Sequence, residues 1–198
     1  ERPAPSAQDL LPSGSLGLSA SGYSDLRACP YRFFALRLLG LQEAKELDEG
    51  LTKRDFGAWL HAVLDAFHRQ RPRQVSRDED REQLDACAAV EFEKLRNDAS
   101  FLPFAASWPK IRESYLLWLQ EHEAQGWRFE SSELEAGREL EGAVLLKGRL
   151  DRVDVLAGSG AQQFAVIDYK TENKASLSKR VAEPLEDTQL IFYAALLG

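Results

Sequence analysis

Val166-Ile167-Asp168-Tyr169-Lys170 is an apolar run that turns polar at its end. Side chains alternate between the two faces of a strand, so Asp168 and Lys170 point one way, and Ile167 and Tyr169 point the other, towards a core. An acid and an amine held close together on a rigid element suit a metal ligand beside a group that orients or activates water.

The run before it, Gly148-Arg149-Leu150-Asp151-Arg152-Val153-Asp154, reads as a second strand. Asp151 and Asp154 are three positions apart and face opposite sides, so only one can share a site with Asp168. Asp151 lies on the face of Val153 and Val155. A carboxylate in that company must be ligated or paired, because burying it alone costs several kcal/mol, roughly. A salt bridge to Arg149 or Arg152 is the competing reading of Asp151, and Asp154 reads as a solvent or salt-bridge acid. Two carboxylates on adjacent strands make the core of a hard-cation site. Mg²⁺, or Mn²⁺, takes oxygen ligands in octahedral geometry and keeps waters. Such an ion can polarise a phosphodiester and lower the pKa of a bound water. Lys170 would offset charge on the transition state or help position the water.

Outward from this pair, residues 127–172 hold three strand-like runs, Trp127–Leu140, Ala143–Leu156 and Gln162–Thr171, with hairpin-like links at Glu141-Gly142 and at 157–160. Everything before is helical in pattern. Ser21–Ala28 and Pro30–Leu39 are expected as short helices, divided by a proline that lacks a backbone donor. Residues 42–51 are charged and irregular. Thr52 stands three residues before Asp55 as a capping box, and Phe56, Trp59, Leu60, Val63, Leu64 and Phe67 follow at amphipathic spacing. Further helices are expected over about Glu79–Arg96 and Ala105–Gln125, with Gly126 as a stop. After Asn173 the pattern turns helical again, and Pro184 is placed in the first turn of a last helix running to Leu197. Residues 1–18, rich in Pro, Ser and Gly, read as a linker or arm. The fold class is α+β: a small mixed sheet, with an antiparallel meander of three strands, flanked by helices, with residues 19–126 mainly helical and 127–198 carrying the catalytic sheet and last helix.

Other residues carry weaker signals. His61 shares a helix stripe with Gly57, Asp65 and His68. A glycine one turn before a histidine leaves room for backbone, metal or DNA, although a surface histidine beside a packing glycine explains it as well; His68 keeps that surface reading. Gln189 and Tyr193, at i and i+4, share a face and can hydrogen-bond phosphate or a base, with core packing of Tyr193 as the competing reading. Lys174, Lys179 and Arg180 fall in a stretch without acids, either a phosphate-holding stripe or a solvated loop.

Composition bounds the function. The chain has 198 residues, 44% hydrophobic and 29% charged, with net charge −7. That suits one domain with a substantial core and excludes a uniformly basic nucleic-acid coat, though not a local basic stripe. No stretch approaches 18 uncharged apolar residues, so no membrane span is expected. Two cysteines, Cys29 and Cys87, suit free thiols in the cytoplasm rather than a secreted scaffold. The chain starts at Glu1 without any methionine and is expected to be a piece of something longer.

Four blocks in order resemble the RecB/AddB-like branch of the PD-(D/E)XK nuclease superfamily. They are Ser19-Ala20-Ser21 with Cys29-Pro30-Tyr31-Arg32-Phe33-Phe34, then Gly57-Ala58-Trp59-Leu60-His61, then the two strands with Thr171, and then Gln189-Leu190-Ile191-Phe192-Tyr193. The resemblance implies a restriction-endonuclease-like core and an exonuclease that processes DNA double-strand breaks in repair and recombination, attached to helicase domains or subunits. It also implies metal ligation by His61, Asp151, Asp168 and the Tyr169 backbone carbonyl, with Lys170 as catalytic lysine and Gln189 and Tyr193 facing DNA. Some relatives carry a [4Fe–4S] cluster on one early and three late cysteines. Cys29 matches the first, but the sequence to Gly198 has no later ones, so no iron–sulfur cluster is expected in this chain and Cys29 is expected to pack in the helical block. The alternative to an active enzyme is a catalytically silent DNA-binding or assembly module of a helicase complex; retention of Asp151, Asp168 and Lys170 together speaks for activity.

Overall fold

The computed structural model describes residues 16–42, 52–72, 75–95, 99–141, 144–158, 163–182 and 187–197. It contains strands β1 (Leu16–Leu18), β2 (Trp127–Leu140), β3 (Val144–Leu156) and β4 (Phe164–Ile167). Its helices are α1 (Ala20–Ala28), α2 (Pro30–Phe33), α3 (Lys53–Gln70), α4 (Arg77–Leu95), α5 (Leu102–Ala124), α6 (Lys174–Ala182) and α7 (Gln189–Leu197). β3 is hydrogen-bonded to the other three strands: β2, β1 in parallel and β4 antiparallel. The chain divides into two compact units, with boundaries falling inside β2 and β3.

One unit comprises residues 47–134 and 151–172. Its core is built on α3, whose N-terminus is fixed by the expected capping box: Thr52 Oγ1 accepts from Asp55 N (3.4 Å), and Asp55 Oδ2 accepts from Thr52 N (2.8 Å). All six residues of the α3 apolar stripe are buried. They meet Leu84 and Ala88 of α4 and Trp108, Leu116 and Leu119 of α5 in one cluster. α5 begins at Leu102, earlier than expected, because Pro103 occupies its first turn, where no amide donor is needed.

The other unit comprises residues 1–46, 135–150 and 173–198. Leu16–Leu18 pairs in parallel with Val144–Leu146, so the end of the expected arm is a strand and the sheet is mixed; residues 1–15 lie outside the described residues. Ser19 caps α1 through Gly22 N, and Cys29 caps α2 through Arg32 N. Cys29 is exposed, which corrects the expectation that it packs in the helical block; Cys87 is buried, and both thiols are free. α2 continues into a π-helical turn, Phe34–Leu38. α7 packs on α1 through Tyr23 and Phe192, rings 6.1 Å apart, and through a 3.0 Å bond between Ser24 and Thr188. α7 starts at Gln189, where Asp187 Oδ1 accepts from Gln189 N, and not at Pro184, which lies outside the described residues. The basic stretch from Lys174 is a helix, capped by Asn173, and not a loop.

Among the described residues no helix is long and apolar enough to cross a membrane.

Candidate active site

β4 is shorter than the sequence pattern suggests. Its ladder with β3 runs from the Val155↔Phe164 pair to the Arg152↔Ile167 pair and stops there. Asp168, Tyr169 and Lys170 therefore lie just past the strand rather than on it. The alternation still governs them: Lys170 Nζ lies 2.6 Å from Asp168 Oδ2, while the Tyr169 ring packs against the helical core.

Asp151 on β3 approaches the same segment. Its Oδ2 accepts from the Tyr169 backbone N–H at 2.8 Å. Its Oδ1 lies 3.4 Å from His61 Nδ1. His61 projects from the middle of α3, and its Nε2 lies 3.1 Å from the Tyr169 carbonyl, to which it donates. Of the two arginine partners considered for Asp151, Arg152, its neighbour in the same unit, is committed to Asp154. The hydrogen bond to Asp151 raises the pKa of His61, against the opposing effect of burial. Burial raises that of Asp168; Lys170 works against this, and the charge of Asp151 adds to it.

One acid here has no counterpart among the residues expected from sequence. Glu133 of β2 brings its carboxylate to His61 and Asp151, and one ligand atom from each of the three falls within 4.8 Å of the others. Glu133 has φ 49°, the positive region that non-glycine residues rarely adopt. Its neighbour Ser132 is tied to α3 by a 2.6 Å bond to Asp65, which Arg69 also holds at 2.7 Å. Strand parity gives no signal for it, since Ser132 and Glu133, adjacent in sequence, both reach α3. Phe129 of the same strand stacks on the buried His68 with ring centroids 5.1 Å apart. Nothing in composition separates Glu133 from the other glutamates of β2.

Behind the site lies a buried polar network that also corrects two expectations. Asp154 is fully buried, not solvent-facing, and receives Arg152 through two bonds of 2.6 Å each. His122 Nε2 reaches the same carboxylate at 2.8 Å. Arg152, also fully buried, donates from Nη1 to His68 Nε2 (2.7 Å) and Tyr115 Oη (2.9 Å). Its guanidinium lies over the Trp118 and Phe129 rings. His68 is therefore a core residue and not a surface one. The apolar environment of α3 and α5 makes this the natural place for satisfied polar groups, since an unpaired charge there would be severely destabilising.

Gly57 does not guard a tight space: a Cβ there would meet Thr171 Oγ1 at 3.7 Å, an ordinary contact. The remaining candidates belong to the other unit. Gln189 Nε2 donates to Tyr193 Oη at 2.8 Å, and Tyr193 is buried. Gly148 accommodates α7 there; an added Cβ would fall 2.7 Å from Leu196 Cδ1 and 3.2 Å from Tyr193 Cε1. Lys174 and Lys179 are exposed on α6, and Arg180 pairs with Asp187 at 3.0 Å.

Over residues 17–198 the chain matches the family model of the PD-(D/E)XK nuclease superfamily. The chain belongs to that superfamily. It is similar to an ATP-dependent helicase/deoxyribonuclease subunit from Symbiobacterium thermophilum, 29% identical over 187 residues, which cover 82% of this chain and 16% of the relative. It is also similar to the protein of the same name from Clostridium botulinum strain Hall, 25% identical over 206 residues, covering 92% of this chain and 18% of the relative. The chain thus spans under a fifth of the length of these relatives. PD-(D/E)XK nucleases use divalent metals, and the cluster of His61, Glu133 and Asp151 has the donor types and spacing for one.

Proposed function

We propose that residues 19–198 form a divalent-metal-dependent DNA nuclease domain, an exonuclease acting on DNA ends during double-strand-break repair and recombination. The observation that carries this reading is the convergence of His61, Glu133 and Asp151 within 4.8 Å, beside the Tyr169 carbonyl and the Asp168–Lys170 pair.

The donor set fits Mg²⁺ or Mn²⁺: carboxylates and a carbonyl oxygen for a hard cation, with one imidazole that Mn²⁺ tolerates well. His61, Asp151, Asp168 and the Tyr169 carbonyl would hold the ion, and Glu133 joins the set as an additional acid. When bound, the ion supplies Lewis-acid polarisation of the phosphodiester and a more acidic water. The residues of the chain do the rest. Asp168 holds the Lys170 ammonium beside the cluster, with Nζ 2.6 Å from its own carboxylate. There it offsets negative charge as the phosphorus gains its fifth oxygen. In the other unit, Gln189 and Tyr193, with Lys174, Lys179 and Arg180, are proposed to contact DNA.

That the relatives are ATP-dependent helicase/deoxyribonuclease subunits supports a parent protein with helicase domains or further subunits as partners. The two free thiols suit a reducing cytoplasm.

The test is cleavage of linear against circular DNA with Mg²⁺ or Mn²⁺. The parent chain is expected to degrade linear DNA from its ends, and Asp168→Ala and Lys170→Ala to abolish that. Parental activity in both variants overturns the assignment. DNA binding in EDTA, with no metal uptake by calorimetry, would instead identify a silent binding module.

A further inference from the structure

Tyr169 occupies an awkward position. The β3–β4 ladder ends one pair before Asp168, at Arg152↔Ile167. The backbone of residue 169 is held by the site's own groups, its N–H by Asp151 and its carbonyl by His61. Both partners are themselves residues of the proposed cation site. The carbonyl also has a restraint that does not belong to the ion site.

The side chain supplies one. The Tyr169 ring packs on the buried helical cluster, and its hydroxyl shares a 3.1 Å hydrogen bond with that of Tyr115 on α5. The Tyr115 hydroxyl in turn accepts from Arg152 at 2.9 Å, and Arg152 is clamped twice by Asp154. An unbroken line of hydrogen bonds runs from a fully buried ion pair to the residue whose carbonyl faces His61. Every member lies in the unit formed by residues 47–134 and 151–172.

We infer that Tyr115 and Arg152 are positioning residues for the cation site, acting through the Tyr169 hydroxyl to hold the residue-169 carbonyl and its neighbours Asp168 and Lys170 in place. This rests on the metal-site reading proposed above. Outer-shell partners of this sort commonly change metal affinity by about 10–100-fold when removed.

The experiment is titration calorimetry of the full chain with MnCl₂, without DNA, comparing the parent with Tyr169→Phe, Tyr115→Phe, Asp151→Ala and Leu84→Ala. The phenylalanine variants keep the rings and remove only the hydroxyls, and Tyr169→Phe leaves Tyr115 with Arg152. Each should still melt cooperatively yet bind Mn²⁺ about tenfold more weakly or worse. Leu84→Ala, a destabilised core variant on α4, should bind as the parent does. In cleavage assays the phenylalanine variants should show a raised apparent metal constant and a kcat that recovers at saturating Mn²⁺.

Parental Mn²⁺ affinity in both phenylalanine variants, with affinity lost in Asp151→Ala, overturns the positioning role and leaves the metal site standing. Parental affinity in Asp151→Ala overturns the metal site and the positioning role together. Equal weakening in Leu84→Ala reduces the effect to general softening and also overturns the inference.

Discussion

Arg152 and Asp154 stand two residues apart on β3 and face each other through two bonds of 2.6 Å, with neither side chain exposed. The pair is a side-on fork, the strongest geometry available to these groups. Breaking it leaves one charge stranded in the core. Asp154→Ala or Arg152→Met is expected to cost about 3–5 kcal/mol, read from urea denaturation. The double variant Arg152→Met/Asp154→Leu should recover most of that loss, because two apolar side chains need no counter-charge. A double variant as unstable as the sum of the singles would argue against this account.

Stability should fall on the acid side of neutrality because of His68. Burial, and after it the charges of Arg152 and Arg71, push its pKa well below the ordinary value of 6.5. Arg152 donates to Nε2, so the neutral ring carries its proton on Nδ1, which is buried and has no hydrogen-bond partner among the described residues. The unfolded chain binds a proton that the folded chain refuses. The contribution is therefore intact above pH 6.5 and erodes as pH drops through that value, at up to about 1.4 kcal/mol per pH unit. His61, with a raised pKa, has the opposite sign and weakens the fold only as pH rises above 6.5. His68→Gln keeps an acceptor for Arg152 and should flatten the acid arm of a stability profile between about pH 5 and about 6.5. An unchanged slope in that variant would assign the effect elsewhere.

Gly57→Ala should raise the thermal stability. Position 57 is inside α3, where glycine costs about 1 kcal/mol relative to alanine, and the new methyl meets only the Thr171 hydroxyl at 3.7 Å. A gain of about 0.5–1 kcal/mol by chemical denaturation is the expected outcome. A loss would mean that the glycine serves packing absent from this structure.

Gly148 should behave in the opposite way. A methyl there falls inside contact distance of Leu196 and the Tyr193 ring, so α7 must give way. Gly148→Ala is expected to cost about 1–3 kcal/mol, as overpacking does. Its partner test is Gly148→Ala with Leu196→Ala, which vacates the closer clash and should be less destabilised than the two single changes summed.

The helices and the residues past β4 were legible in sequence because each left a local mark. The α3 stripe and its Thr52–Asp55 cap, the parity of Asp168 and Lys170, and the order of four short blocks are all readable from near neighbours in the chain. What stayed hidden depends on contacts distant in the chain. Leu16–Leu18 has no strand signal of its own beyond three residues, and its pairing with Val144–Leu146 joins segments far apart in sequence. Asp154 and His68 look like surface polar groups until Arg152 is seen to bridge them. The extent of β4 was overestimated because alternation continues past the last ladder pair, so periodicity cannot mark where the hydrogen bonds stop. Glu133 was missed for a different reason: its placement goes with a positive φ inside β2, which no propensity scale assigns to glutamate.

The positive φ of Glu133 within β2 bears on how the protein would decay. Holding a glutamate at φ 49° costs on the order of 1 kcal/mol that glycine would not incur. Under selection for folding alone, substitution to glycine would relieve the backbone and remove an acid crowded against Asp151. A descendant released from catalysis should drift first at this position, while Arg152 and Asp154, which the fold itself requires, outlast it.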